Sequence, residues 1–187
     1  MTSNTKKGFT LIELLVVIAI IAVLSVVVIL TLNPAEILRQ ARDSNRISDL
    51  STLKSGISFF LSDVSTSSSA LGVSGRCYMA APGSSTCSWF TTAASYATTT
   101  VRTVNGAGWI PINFNAISSG APFGNLPADP TNNASYFYSY IANATSGFKL
   151  AARMESTKYN ASGSSDIVST DGGNDNTTYE TGSVLGL

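Results

Sequence analysis

Glu13 is the residue whose type and position point most directly to chemistry. It closely follows Gly8 and Phe9, and nearly every side chain over residues 14–32 is apolar. A carboxylate at the mouth of a membrane-spanning segment costs free energy unless it reaches the interface or serves a function. Two interpretations are therefore open. Glu13 either extends to the lipid headgroups and has no specific role, or its charge serves a function of the protein.

Other kinds of chemistry have little support in the composition. Histidine, the commonest general base and metal ligand, is absent from the 187 residues. The sequence contains no Gly-x-Ser-x-Gly elbow and no pair of carboxylates in a catalytic context. The formal net charge is zero, so no basic surface indicates nucleic-acid binding. We predict a protein that is not an enzyme and that requires no cofactor.

The apolar run over residues 14–32 is long enough to cross a membrane. Only Ser25 and Thr31 are polar within it. At about 1.5 Å per residue it spans roughly 28 Å, close to the hydrocarbon thickness of about 30 Å. Lys6 and Lys7 precede the run, and the positive-inside rule therefore places the N-terminus in the cytoplasm.

A cleavable secretory signal is the competing interpretation of this run. Its apolar region would cover about 7–15 residues and would end at a small-x-small site. Here the run is longer and leads into Asn33 and Pro34. Cleavage of the Gly8–Phe9 bond, before the run, would instead remove the lysines and keep the membrane helix.

The N-terminal segment resembles the class III signal of type IV pilins and related pseudopilins. Residues 8–13 read GFTLIE and lead directly into the apolar run. The resemblance implies that a prepilin peptidase cuts after Gly8 and N-methylates Phe9. It also implies that the mature subunit packs with copies of itself into a helical filament. Other partners would be an inner-membrane assembly platform and its ATPase, since this chain has no phosphate-binding loop.

Glu13 has a specific role under this resemblance. Cleavage would leave an ammonium group on Phe9, four residues before Glu13. The Glu13 carboxylate can then pair with the ammonium of a neighbouring subunit and fix its axial register. The predicted divisions are a cleaved leader (1–8), a transmembrane and assembly helix (9–33), an amphipathic helix (34–63) and an extracellular β-rich head (64–187).

The helix over 34–63 begins at a break. Asn33 and Pro34 suit a helix start, with Glu36 able to close a capping box. Because proline removes a backbone hydrogen bond, we expect a kink or a melted stretch there, in one bent helix or between two.

The second helix carries an apolar stripe, since apolar residues recur at steps of three and four. We expect this stripe to pack on the downstream sheet, with an external partner as the alternative. The stripe comprises Ile37, Ala41, Ile47, Leu50, Leu53, Ile57 and Phe60 or Leu61. The other faces are assigned to Arg39, Arg42, Asp43, Arg46, Asp49 and Lys54.

The head has the pattern of a small sheet. Aromatic and alternating runs at 135–141 and 148–155 flank a turn near Asn143–Gly147, which predicts an antiparallel hairpin. The threonine-rich run from Tyr96 to Val104 is a further candidate strand. The predicted fold class is α+β, a long N-terminal helix on a small antiparallel sheet. A rigid, proline-containing loop at residues 126–130 precedes the hairpin, and this order resembles the heads of Gram-positive and secretion-type pilins.

Two sites are predicted in the head. Cys77 and Cys87 lie ten positions apart, a spacing that favours a disulfide in an exported chain, with two buried thiols as the alternative. Asp171, Asp175 and Glu180 belong to an oxygen- and glycine-rich loop that suits calcium. The major pseudopilin of type II secretion carries calcium in its C-terminal loop, although plain turns explain the same composition.

The leading functional interpretation is a major pilin, held in the cytoplasmic membrane as a precursor and then assembled into a cell-surface filament. The alternatives are a pseudopilin of type II secretion or DNA uptake, and a minor subunit that primes the fibre. A membrane-anchored glycan-binding module using Trp89, Trp109 and the tyrosines is a fourth hypothesis, although such aromatic residues more often belong to a core.

Overall fold

The computed structural model describes residues 8–64, 68–83 and 86–187. Lys6 and Lys7, on which the predicted orientation depends, lie outside the described residues, as does most of the predicted leader. The chain divides into two compact units, Met1–Leu38 and Arg39–Leu187.

Two long helices follow each other at the N-terminal end. Helix α1 covers Leu11–Leu32 and helix α2 covers Pro34–Asp63. Asn33 separates them in a left-handed backbone conformation, with φ at 40°. Its carbonyl oxygen accepts hydrogen bonds from the N–H groups of Glu36 and Ile37, at 2.9 and 3.3 Å. The proline therefore stands at the first position of a new helix, where its missing N–H is not needed.

Among the described residues, five strands form one sheet in the order β2-β1-β3-β4-β5. The layout of helices followed by a mostly antiparallel sheet confirms the predicted α+β class. The strands are β1 (Arg76–Met79), β2 (Ser95–Thr98), β3 (Tyr138–Ala142), β4 (Phe148–Ala152) and β5 (Tyr179–Gly182).

The predicted hairpin is formed by β3 and β4, which pair with Tyr140 opposite Leu150. Asn143 closes its turn, because the side-chain oxygen of Asn143 accepts the N–H groups of Thr145 and Gly147, at 3.0 and 2.7 Å. The asparagine-based turn that the sequence predicts therefore fixes the register of this hairpin.

Strand β2 departs from the antiparallel expectation. It pairs in parallel with β1, with Cys77 opposite Tyr96. A parallel pair needs a crossover of about a dozen residues or more. The segment between β1 and β2 supplies that crossover. The candidate strand predicted from Tyr96 to Val104 corresponds to β2, which ends earlier, at Thr98.

The central strands are buried on both faces. On one face, Tyr138 and Leu150 share a hydrophobic core with Leu53 and Phe60 of α2. The predicted stripe therefore packs on the chain's own sheet in this part of α2. On the opposite face a second core forms around the crossover, and it includes Cys77, Met79, Cys87, Trp89, Phe90, Ile141 and Ala151.

The first half of the predicted stripe is wrong. Ile37 and Ala41 are exposed, whereas Asp43 and Arg46, assigned to outer faces, are fully buried. The buried positions of α2 keep steps of three and four. They are Asp43, Arg46, Leu50, Leu53, Gly56, Ile57 and Phe60. The stripe therefore begins with an ion pair in place of apolar side chains.

Arg46 is the centre of a largely buried ionic cluster. The cluster consists of Arg42, Asp43, Arg46, Asp129 and Glu155. The Arg46 guanidinium donates to both oxygens of Asp129, at 2.6 and 2.8 Å. It also donates to Asp43 at 2.7 Å and to Glu155 at 2.5 Å. These carboxylates come from three separate segments, so one cation holds α2, the loop before β3 and the segment after β4 together.

We expect the stability of the head to fall in acid through Glu155. Hydrogen bonds from Arg42, and then from Thr131 and Arg46, outweigh burial and lower the pKa of Glu155 from 4.5 to about 2. A lowered folded-state pKa stabilises the fold above the unfolded value, and this contribution disappears as the pH falls through the folded value. The melting temperature should therefore fall as the pH is lowered from about 5 to about 2. The Glu155→Gln variant should lose part of this pH dependence, and a wild-type slope in that variant would contradict the assignment.

Candidate assembly site at the N-terminus

The backbone before α1 is open to approach. Phe9 is 90% exposed, and a Cβ atom added at Gly8 would meet nothing within 4 Å. Thr10 is extended, with φ and ψ at −81° and 152°, and the helix starts one residue later at Leu11. The Gly8–Phe9 bond therefore lies outside the helix, in the exposed and irregular backbone that a peptidase requires.

Thr10 and Glu13 cap the start of α1 reciprocally. The Thr10 hydroxyl oxygen accepts the Glu13 N–H at 3.3 Å. The Glu13 carboxylate accepts the Thr10 N–H at 2.8 Å and the Thr10 hydroxyl at 2.7 Å. This is a capping box, which satisfies backbone donors that a helix N-terminus leaves unpaired.

This capping box was not predicted, although its Thr-x-x-Glu pattern is visible at residues 10–13. The capping box that was predicted lies at Asn33 and Glu36. In the structure the Glu13 carboxylate is held beside the N–H of Thr10, one residue after Phe9. Its negative charge is thus kept at the helix end, where the first turn favours an anion.

The surface of α1 is apolar all round. Residues Leu11–Ile29 are long and apolar enough to cross a membrane, and none of this stretch is buried within the chain. Apart from Glu13, the polar side chains of α1 are Ser25 and Thr31. Ser25 donates to the carbonyl oxygen of Ile21 at 2.7 Å, and Thr31 donates to that of Val27 at 3.0 Å. These hydroxyls are therefore satisfied without water, as a lipid environment demands.

Residues 3–29 match the family model of the prokaryotic N-terminal methylation motif. This match supports the class III signal and a protein of the type IV pilin and pseudopilin kind. The match does not distinguish a major pilin from a pseudopilin. The family is structural rather than enzymatic, and the pilin-like segment fits a membrane-anchored precursor.

The other two comparisons add no relative. No curated protein matched this chain, and no solved structure matched it.

The predicted disulfide joins Cys77 of β1 to Cys87 in the crossover, with 6.5 Å between the two Cα atoms. Both cysteines are fully buried, next to Trp89 and Phe90 in the second core. The bond therefore ties the parallel crossover to the strand from which it departs.

Loss of this disulfide should destabilise the head by roughly 2–4 kcal/mol. The variant carrying both Cys77→Ser and Cys87→Ser should unfold at lower urea concentration than the wild type in detergent. Reductant should destabilise the wild type and leave the double variant unchanged. Equal urea midpoints for the oxidised wild type and the double variant would contradict this contribution.

The C-terminal loop brings the three predicted calcium ligands near one another but engages them with protein donors. Asp171 accepts the N–H groups of Gly173 and Glu180, at 2.8 and 2.6 Å. Asp175 accepts the N–H of Thr177 at 2.7 Å.

Lys149 contacts one of the three predicted calcium ligands, and the sequence did not indicate this contact. Its Nζ atom lies 2.7 Å from a Glu180 carboxylate oxygen, and both side chains are fully buried. A cation bound by Glu180 would have to displace this ammonium. Within the described ranges, no group of three or more His, Cys, Asp or Glu side chains is placed to hold a metal. Calcium binding here stays a prediction.

The two tryptophans belong to the interior. Trp109 is fully buried and donates its indole N–H to the Pro127 carbonyl oxygen at 3.0 Å. Trp89 is 7% exposed and donates to the Ser139 hydroxyl at 2.9 Å. Neither indole is presented to a sugar, so the two tryptophans do not support the glycan-binding hypothesis.

Proposed function

We propose that this protein is the major subunit of a type IV pilus filament. In this proposal a prepilin peptidase removes the leader after Gly8 and methylates Phe9. The mature chain then leaves the membrane and stacks through α1 with copies of itself. An assembly platform and a separate ATPase would supply the energy for extraction.

The observation that carries the proposal is the unburied surface of α1. Within Leu11–Ile29, the exposed fraction of its large apolar side chains ranges from 48% to 82%. Val16 and Val17 have the lowest value and Leu11 has the highest. Such a surface needs lipid or other apolar helices around it. The methylation motif favours both in succession, first the membrane and then the interior of a fibre.

Glu13 supplies the step that selects a partner. While the leader is attached, its carboxylate is satisfied by Thr10 of the same chain. Cleavage creates an ammonium on Phe9, and a carboxylate in an apolar environment gains from pairing with such a charge. We propose that Glu13 exchanges part of its capping contacts for the Phe9 ammonium of the neighbouring subunit.

A pseudopilin of a secretion or DNA-uptake system is the second candidate, because the methylation motif supports it equally. Electron microscopy of sheared cell-surface material distinguishes the two. Long filaments containing this chain as the main band would support the major-pilin proposal. Its restriction to the cell envelope, with no surface fibre containing it, would favour the pseudopilin.

A further inference from the structure

Lys149, Asn174 and Glu180 form a triad that the assembly function does not use. Lys149 lies on β4 and Glu180 on the paired strand β5, while Asn174 belongs to the loop before β5. The Lys149 Nζ atom donates to the Asn174 side-chain oxygen at 2.7 Å and to the Glu180 carboxylate at 2.7 Å. Its third donor reaches the Leu185 carbonyl oxygen at 3.1 Å.

The surroundings of Lys149 are closed to water. The side chains of Lys149 and Glu180 are both fully buried. The Phe90 ring lies 5.0 Å from the Nζ atom. Burial makes a charged pair costly because both groups lose their solvation, so a reaction that leaves both of them neutral removes this cost. An amine that has given a proton to a carboxylate is a nucleophile.

The loop before β5 places the side-chain amide of Asn174 against the Lys149 Nζ atom. A side chain at the preceding residue, Gly173, would overlap the Glu180 carboxylate, so glycine permits the close approach. The Asn174 side-chain oxygen lies 2.7 Å from the Nζ atom, and the amide carbon is bonded directly to that oxygen. Holding two reacting groups in this way replaces an encounter in solution with an intramolecular step.

We propose that Lys149 and Asn174 form an intramolecular amide bond, with Glu180 as the catalytic proton acceptor. The Lys149 nitrogen gives one proton to Glu180 and forms a bond to the side-chain carbonyl carbon of Asn174. The bond from that carbon to the Asn174 Nδ2 atom breaks. The leaving nitrogen takes a second proton from the Lys149 nitrogen and departs as ammonia.

The products balance without leaving a buried charge. The third hydrogen of the ammonium remains on the new amide nitrogen, and Glu180 retains its proton as a neutral acid. Asn174 is exposed, and its Nδ2 atom faces the Thr91 hydroxyl at 3.3 Å. The ammonia therefore has a route to solvent. The reaction needs no oxidant, metal or second protein, and it is independent of filament assembly.

The test is mass spectrometry of the full chain after denaturation and reduction of the disulfide. The wild type should be lighter than its sequence by the mass of one ammonia. Trypsin should release a branched peptide in which residues 103–153 are joined to residues 159–187, because Lys149 no longer presents a cleavable side chain.

Asn174→Ala is the decisive variant and Asn176→Ala is its matched control. Both asparagines are exposed in the same loop, and Asn174→Ala retains the contacts of Lys149 with Glu180 and Leu185. Asn174→Ala and Glu180→Gln should keep the full mass of their sequences, whereas Asn176→Ala should still lose ammonia. The melting temperature of Asn174→Ala should also fall below that of Asn176→Ala.

Two results would overturn the proposal. One is a wild-type chain of full mass that yields a peptide ending at Lys149. The other is a loss of ammonia confined to an unbranched peptide 159–187, which would mean that Asn174 had cyclised on its own backbone.

Discussion

Replacing Glu13 with alanine should leave the protein in the membrane but reduce the yield of filaments about tenfold or more. A loss of about 1.4 kcal/mol at each subunit contact is sufficient for a tenfold change in an association constant. Insertion should survive because the substitution removes a charge from the mouth of an apolar helix. Membrane fractionation measures the first effect, and counting sheared filaments measures the second.

Two matched variants separate register pairing from other roles of Glu13. Thr10→Ala removes the side-chain half of the capping box, worth about 1 kcal/mol of helix stability, and retains the carboxylate. Ser25→Ala removes a polar atom from the same helix without changing a charge. Both should assemble better than Glu13→Ala. If Thr10→Ala lost filaments to the same extent, capping rather than pairing would explain the phenotype. Normal filament numbers in Glu13→Ala would refute both roles.

Replacing Arg46 with methionine should destabilise the head by roughly 3–5 kcal/mol. The guanidinium is fully buried, and it is the shared partner of Asp43, Asp129 and Glu155. Removing one member of a buried ion pair leaves uncompensated charge in a medium of low dielectric constant. Chemical denaturation of the full chain in detergent measures the loss as a lower midpoint.

Two other cations of α2 provide a graded control for Arg46. Lys54 is exposed, so Lys54→Met should change the stability by about 0.5 kcal/mol or less. Arg42 contacts Glu155 but retains 34% of its side-chain exposure, so Arg42→Met should fall between the two. Arg46→Met and Lys54→Met with equal midpoints would show that the cluster does not hold α2 to the sheet.

Features that depend on neighbouring residues were predictable. The segment around Gly8, Phe9 and Glu13 is read from six consecutive residues and needs no tertiary information. The hairpin of β3 and β4 follows from two apolar runs and a turn built on Asn143. The Thr10–Glu13 capping box is equally local, and it was missed because Glu13 was interpreted only through its charge.

Features that depend on distant partners were not predictable. Arg46 can be buried because Asp129 and Glu155 neutralise its charge. These two partners lie 83 and 109 positions away in the sequence. Only the continuation of three- and four-residue steps through positions 43 and 46 signalled that these charges face inward. Lys149 likewise finds Glu180 and Asn174 only after β4 and β5 pair. A single sequence shows these groups without showing that they converge.

The N-terminal mass of the native protein tests the central claim most directly. Material sheared from the cell surface and the membrane-bound pool should both be purified and analysed by peptide mass spectrometry. We predict that the chain in the filament begins at Phe9 with a methylated amine, and that unprocessed chain occurs only in the membrane. Surface filaments whose subunits still carry residues before Phe9 would contradict the account.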